Sequence, residues 1–169
     1  MTENNQRYRC STCGKSAHRV QGNYLFRESG LPNVVLKGIE IIRCDQCGKD
    51  DPVLPKLSEL LKLLASAIVR KPTPLTGAEI RFIRKFLDMN GETFANVLGV
   101  DKTTLSKWEN DQIQIGSNSD RLIRAVMLCL APGSKEQIEE GIRHFATIRE
   151  GRNPVLIEVD ARELTFQYA

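Results

Sequence analysis

Hydrophobic spacing divides the chain into a strand-like beginning, a helical middle and a mixed end. Tyr24-Leu25-Phe26 and the run from Asn33 to Arg43 are rich in aromatic and β-branched residues, with turn-forming Ser29-Gly30-Leu31-Pro32-Asn33 between them. Such runs bounded by turn signals predict two short strands. From Lys56 to Arg70 the spacing changes. Leu57, Leu60, Leu61, Leu64 and Ile68 recur at the interval of one helix face and predict an amphipathic helix. Lys71-Pro72-Thr73-Pro74 stops it, because closely spaced prolines favour extended backbone.

Beyond Leu75 the pattern predicts four short helices. Thr76 and Glu79 form a capping box, with a hydroxyl at the N-cap and a carboxylate three residues on. The helix it opens carries Ile80, Ile83 and Leu87 on one face, and Arg81, Arg84 and Lys85 outside it. Asn90 caps Gly91 to Leu98, which buries Phe94, Ala95 and Leu98, and Gly99-Val100 then turns the chain. Asp101 caps Lys102 to Glu109, with Leu105 and Trp108 directed to the core beside Val100. Asp120 is expected to cap a fourth helix with Leu122, Ile123, Val126 and Leu130 inward and Cys129 in the core. A small residue at Ala95, glycine at Gly99 and an apolar Val100 meet the needs of two short helices joined by a tight turn, the helix-turn-helix unit. In the tail, Ser134 and Gln137 form a second capping box, leading to Ile138, Ile142, Phe145 and Ile148 at helical spacing. Val155 to Val159 and Leu164 to Phe166 read as strands, and an exposed strand there could pair with its symmetry mate.

The cysteines add chemistry to the first segment. Cys10-Ser11-Thr12-Cys13-Gly14 and Cys44-Asp45-Gln46-Cys47-Gly48 are two Cys-x-x-Cys-Gly knuckles. Each presents two sulfurs from one tight loop, and together they can complete a tetrahedral shell for a single structural Zn²⁺. A disulfide or redox pair and an iron–sulfur cluster use the same residues and stay open at this stage. The first 50 residues hold few large apolar side chains outside Val34 to Ile42, so a metal staple is needed for them to fold. Four thiolates leave His18 a surface role, and His144 beside Phe145 reads as a helix-surface residue.

Charge narrows the possibilities only locally. The net charge is +3, and residues 53–75 carry four basic side chains against one acidic, whereas residues 76–131 carry seven of each. No disordered basic arm is present. There is no secretion signal and no apolar run long enough to span a bilayer, since Lys62 and Ser66 break the stretch from Leu60 to Val69. With reduced cysteines, this points to a cytoplasmic protein without a membrane partner. No Ser-His-Asp order, carboxylate pair or phosphate loop stands out, and a closed Cys₄ site has no open coordination position, so the chain reads as a non-enzyme.

Ile80-Arg81-Phe82-Ile83-Arg84, Phe94-Ala95, Leu98-Gly99-Val100, Leu105-Ser106 and Trp108-Glu109-Asn110 together resemble the helix-turn-helix domain of the phage repressor and Cro family. Preceded by the two knuckles and by Val35-Leu36-Lys37-Gly38-Ile39, they make residues 8–131 similar to the MqsA-type antitoxins, in which a zinc domain is joined to a repressor domain. Two positions depart from that pattern. Asn90-Gly91 stands where the family has Thr-Gln, which removes a phosphate-clamping glutamine, and Asp111 replaces a glycine after Glu109-Asn110. The boundaries read from the sequence predict an α+β protein: a zinc-stapled β unit over 1–52, a helical linker over 53–74, an all-α helix-turn-helix domain over 75–131, which the resemblance implies binds DNA, and, outside the resemblance, a short α/β extension over 132–169. The resemblance implies that Cys10, Cys13, Cys44 and Cys47 hold zinc. Lys102, Thr103 and Lys107 lie where the family reads bases, with Ser106 beside them, while Thr104, Asn110 and Arg81 are expected on the phosphates. The partners implied are a palindromic double-stranded operator, a second copy of the chain and a cognate toxin whose operon the protein represses. A stand-alone zinc-containing regulator and a protein-interaction adaptor are the alternatives.

Overall fold

The computed structural model describes residues 8–54, 56–131 and 155–169. It has an α+β architecture. The strands are β1 (Tyr8–Arg9), β2 (Ser16–Leu25), β3 (Val34–Cys44), β4 (Asp50–Pro52), β5 (Ile157–Asp160) and β6 (Thr165–Tyr168). The helices are α1 (Leu57–Arg70), α2 (Gly77–Phe86), α3 (Gly91–Leu98), α4 (Lys102–Glu109) and α5 (Ser117–Leu130). The expected tail helix after Ser134, with His144, lies outside the described residues.

The β2–β3 hairpin forms the body of the sheet, running from Ala17 opposite Cys44 to Leu25 opposite Val35. Its register slips between Gly22 and Tyr24, where the Asn23 side chain accepts the Gly38 amide at 3.2 Å and Gly38 adopts φ 61°. The slip explains how β3 keeps one apolar face. Val34 and Leu36 are buried before Gly38, Ile39 and Ile41 after it, so the alternation changes parity at the irregularity and the same side stays inward.

The tail strands are present, and their partner lies within the chain. β5 runs parallel to β3, with Val34 opposite Ile157 and Lys37 opposite Asp160, and β6 pairs antiparallel with β5. One sheet, ordered β1-β2-β3-β5-β6 with β4 also on β3, therefore contains both ends of the described chain. Ile157 and Val159 are fully buried, which is the gain that draws the segment in. The α1 helix covers this sheet with Leu60, Leu64 and Ile68, and the Tyr168 hydroxyl donates to the Ala67 carbonyl at 2.8 Å. The core continues from the sheet through α1 into α2–α5, through Ile80, Ile83, Phe94, Leu105 and Ile123.

Local signals set the helix ends. Thr76 and Glu79 form the expected capping box, and the Asn90 side chain accepts the Thr93 amide. Gly99 ends α3 at φ 66°, and Asp111 takes the left-handed turn after α4 at φ 52°. Asp101 occupies the N-cap of α4 without a side-chain hydrogen bond. Two expectations for α5 are overturned. The helix starts at Ser117, so Asp120 is not its cap; Asp120 is buried and accepts both the Leu75 amide and Arg124 Nε. The inward face is Asp120, Ile123, Arg124 and Met127, while Leu122, Cys129 and Leu130 are exposed. A buried ion pair at i,i+4 sets the rotation of α5: of the expected apolar face, Ile123 is buried and Val126 packs against the core, whereas Leu122 and Leu130 turn outward.

Gly77 marks the tightest approach. A Cβ there would lie 2.5 Å from the Trp108 carbonyl oxygen and 2.7 Å from that of Glu109. Gly77→Ala is expected to destabilise the protein by about 1–3 kcal/mol by pushing α2 off the end of α4. Urea unfolding measures this, and an unchanged midpoint would refute the contact.

Candidate functional site

The two knuckles meet at one end of the sheet because β1 delivers Cys10 and the end of β3 delivers Cys44. In each, the glycine amide returns to the first cysteine's carbonyl, Gly14 to Cys10 at 3.0 Å and Gly48 to Cys44 at 3.2 Å. Both glycines have positive φ, 67° and 68°, which an L side chain rarely adopts. Amides point at the sulfurs: Thr12 at Cys10 Sγ, and Gln46 and Cys47 at Cys44 Sγ, all at 3.4 Å. The four Sγ atoms lie within 4.8 Å of one another, with Cys10–Cys47 at 3.6 Å and Cys13–Cys44 at 3.5 Å. A tetrahedron of zinc–sulfur bonds of about 2.3 Å has edges of about 3.8 Å, so the set fits one ion of that size.

The thiols are electrostatically unequal. The amides of Cys13 and Thr12 hold Cys10 down to about 6 against the opposing effect of burial. At Cys13 the Lys15 amide acts downward, but the Cys44 sulfur, burial and the other two sulfurs together push the thiol up to about 12. Cys44 is lowered, by the Cys47 amide first, and Cys47 is raised because the Cys44 and Cys10 sulfurs outweigh the Lys49 amide. Each knuckle thus pairs one cysteine whose thiolate is favoured by backbone amides with one whose ionisation is opposed by the neighbouring sulfurs. His18 stays outside the shell, at the surface, with Nδ1 2.5 Å from Asp45 Oδ1.

The second constellation is on α4. Leu105 and Trp108 are buried, while Lys102, Thr103, Ser106 and Lys107 are exposed, and Thr104 is half-buried. Arg81 and Asn110 stay accessible but are bonded within the chain. Arg81 donates to the Glu109 carbonyl at 2.6 Å and to Asn110 Oδ1 at 2.8 Å, and Asn110 Nδ2 donates to the Ser106 carbonyl at 2.7 Å. Arg84 forks onto Glu109 at 2.6 and 3.0 Å, and Asp111 Oδ1 accepts the Gly77 amide at 2.7 Å. Glu109, Asn110 and Asp111 are each tied to α2, so α4 is held at its C-terminal end and presents its exposed row as a rigid surface.

Sequence reasoning missed the junction between these regions. Arg124 is fully buried, and its guanidinium donates to the carbonyls of Ile68, Val69, Lys71 and Thr73 at 2.7–3.3 Å. Beside it, Lys71 Nζ lies 2.6 Å from Glu79 Oε2, both side chains completely buried, an ionic contact rather than a directed hydrogen bond. The signal available in sequence was the Asp120–Arg124 spacing in phase with Ile123 and Met127. No protein-family model matches the chain, and no curated protein or solved structure matches it. Among the described residues, no helix is long and apolar enough to cross a membrane.

Proposed function

We propose that the protein is a cytoplasmic, sequence-specific DNA-binding repressor whose Cys₄ cluster holds one structural zinc ion. The observation that carries this reading is the two-sided α4: Leu105 and Trp108 buried, Lys102, Thr103, Ser106 and Lys107 exposed in one row. A helix docked in the major groove needs such a row. Its lysines can donate to guanine O6 and N7, and a threonine can meet a base edge or a thymine methyl. The short α3, the Gly99 turn and α4 supply the two helices of a helix-turn-helix, and the resemblance to MqsA-type antitoxins supplies the context of an autoregulated operon with a toxin partner. Closed thiolate coordination suits a structural ion and leaves no position for a reactive ligand.

Arg81 and Asn110, bonded to each other and to the end of α4, act in this reading by positioning α4 beside the phosphates. Residues 76–131 balance their charges, so affinity rests on a paired, two-fold arrangement over a palindrome more than on gross electrostatics. Fluorescence anisotropy on the DNA upstream of the gene tests the proposal. Lys107→Ala is expected to weaken specific binding by about 1–3 kcal/mol while leaving stability unchanged. No binding by the parent protein, or equal affinity for operator and scrambled DNA, would refute the reading.

A further inference from the structure

The two edges of the sheet are built differently. At one, β1 is two residues ending in Arg9, and β4, which lies across β3 from β2 and so on the β5 side, is Asp50-Asp51-Pro52. Short length, charge and proline are the devices that stop an edge strand from recruiting another chain. At the other, β6 is Thr165-Phe166-Gln167-Tyr168, with no charge and no proline. Its alternation is set by two bonds. The Ala169 amide donates to the Leu156 carbonyl at 3.0 Å, and the Ile157 amide turns the other way, to Asn33 at 2.9 Å. With Ile157 opposite Tyr168, the backbone groups of Thr165 and Gln167 face β5, and those of Phe166 and Tyr168 face outward. Among the described residues, no backbone hydrogen bond satisfies those outward groups. The inner face of the strand is anchored by the Tyr168 hydroxyl bond to α1 and by the edge-on Phe166–Tyr168 contact, with ring centroids 5.5 Å apart.

We propose that β6 pairs antiparallel with β6 of a second copy of this chain, about a two-fold axis through Gln167, joining the two sheets into one. The strand is self-complementary in this register. Phe166 stands opposite Tyr168 of the second copy and Tyr168 opposite its Phe166, so every outward amide and carbonyl of these residues finds a partner. The aromatic side chains gain cross-strand neighbours on the inner face. Gln167 faces its own mate at a non-hydrogen-bonded position on the solvent side, where two carboxamides can donate and accept reciprocally. A charged residue at 165, 166, 167 or 168 would oppose or neighbour its own copy; none is present.

The inference supplies the dimer surface that operator recognition calls for and rests on that reading only for its purpose, because assembly is measured without DNA. Sedimentation of the metal-loaded full chain is expected to show a dimer. Gln167→Lys places like charges opposite each other across the axis, while a lysine at 167 can still pair with Glu158, the present partner of Gln167 within its own subunit. It should raise the dimer dissociation constant roughly tenfold with an unchanged melting temperature, and mixing with Gln167→Glu should restore assembly. In a Cys129→Ser background, Gln167→Cys should form a covalent dimer with oxidised glutathione, because directly opposed non-hydrogen-bonded positions suit a disulfide, and Thr165→Cys should not. A monomeric parent protein overturns the proposal. So does a dimer that ignores Gln167→Lys and fails to cross-link through residue 167, which would move the interface elsewhere, or a β6 edge occupied by a strand from a different protein. Loss of DNA binding by a protein still dimeric through β6 would refute the repressor reading alone.

Discussion

Stripping the metal from the reduced protein is expected to unfold the knuckle end of the sheet and lower the melting temperature by at least about 10 °C. That end has little else to hold it. Of the residues in and around the two knuckles, only Cys10, Ala17 and Cys44 are buried, while Ser11, Thr12, Lys15, Asp45, Gln46 and Lys49 are exposed. Structural zinc sites contribute on the order of 10–16 kcal/mol of apparent binding free energy, far above what burial of two thiols and a methyl supplies. A loss of even a third of this corresponds to the stated shift at about 2–4 °C per kcal/mol. Cys44→Ser should reproduce the effect, because a hydroxyl is a poor ligand and the amides of Cys47 and Gln46 lose the sulfur they now bond. Metal analysis should return one zinc per chain for the parent. Unchanged melting after chelation, or no metal in reduced protein, would refute the metal centre.

Arg124→Met is expected to cost about 3–5 kcal/mol in urea unfolding, although the side chain touches neither the cysteines nor α4. The guanidinium serves four carbonyls at the end of α1 and the stretch after it, and neutralises the buried Asp120. Its removal strands a carboxylate and leaves polar oxygens without donors in a dry interior. Arg124→Lys should recover little, since one ammonium cannot reproduce a planar fork spread over those acceptors. Adding Asp120→Asn to Arg124→Met should recover part of the loss by removing the stranded charge, and a double-mutant cycle quantifies the coupling. Strict additivity of the two single substitutions would mean that the pair does not act as a unit.

Much of the helical half was legible because its signals are local. Thr76, Asn90 and Gly99 mark helix ends through bonds to residues within a few positions, and Leu105 and Trp108 fix the inward face of α4 by spacing alone. The cysteine cluster was legible for the same reason, since each knuckle closes on itself and only the meeting of the two is long-range. What escaped involves residues whose partners are far away in sequence. Nothing in Ile157-Glu158-Val159 says that its neighbour is Val34-Val35-Leu36. Arg124 and Lys71 look like solvated charges until the packing shows each facing an acceptor in the interior. Arg81 and Asn110, expected on phosphates from their positions, also bond to each other and to α4, which spacing did not indicate.

The parallel pairing of β3 with β5 also governs when the protein can become whole. The Lys37–Glu158 ion pair and the bond from Asn33 to the Val155 carbonyl span 121 and 122 residues of chain. At a synthesis rate of about 5–20 residues per second, β3 waits several seconds in the nascent chain before its neighbour exists. During that interval one flank of β3 is an open edge, with Val34 and Leu36 still lacking their cover from Ile157 and Val159. The knuckles need only the first 48 residues, so they can close long before this. The cysteine cluster can therefore close as soon as the β2–β3 hairpin has formed, whereas β5 and β6 arrive more than a hundred residues later: the first segment is clamped at one end while its far flank stays unsealed until those strands emerge.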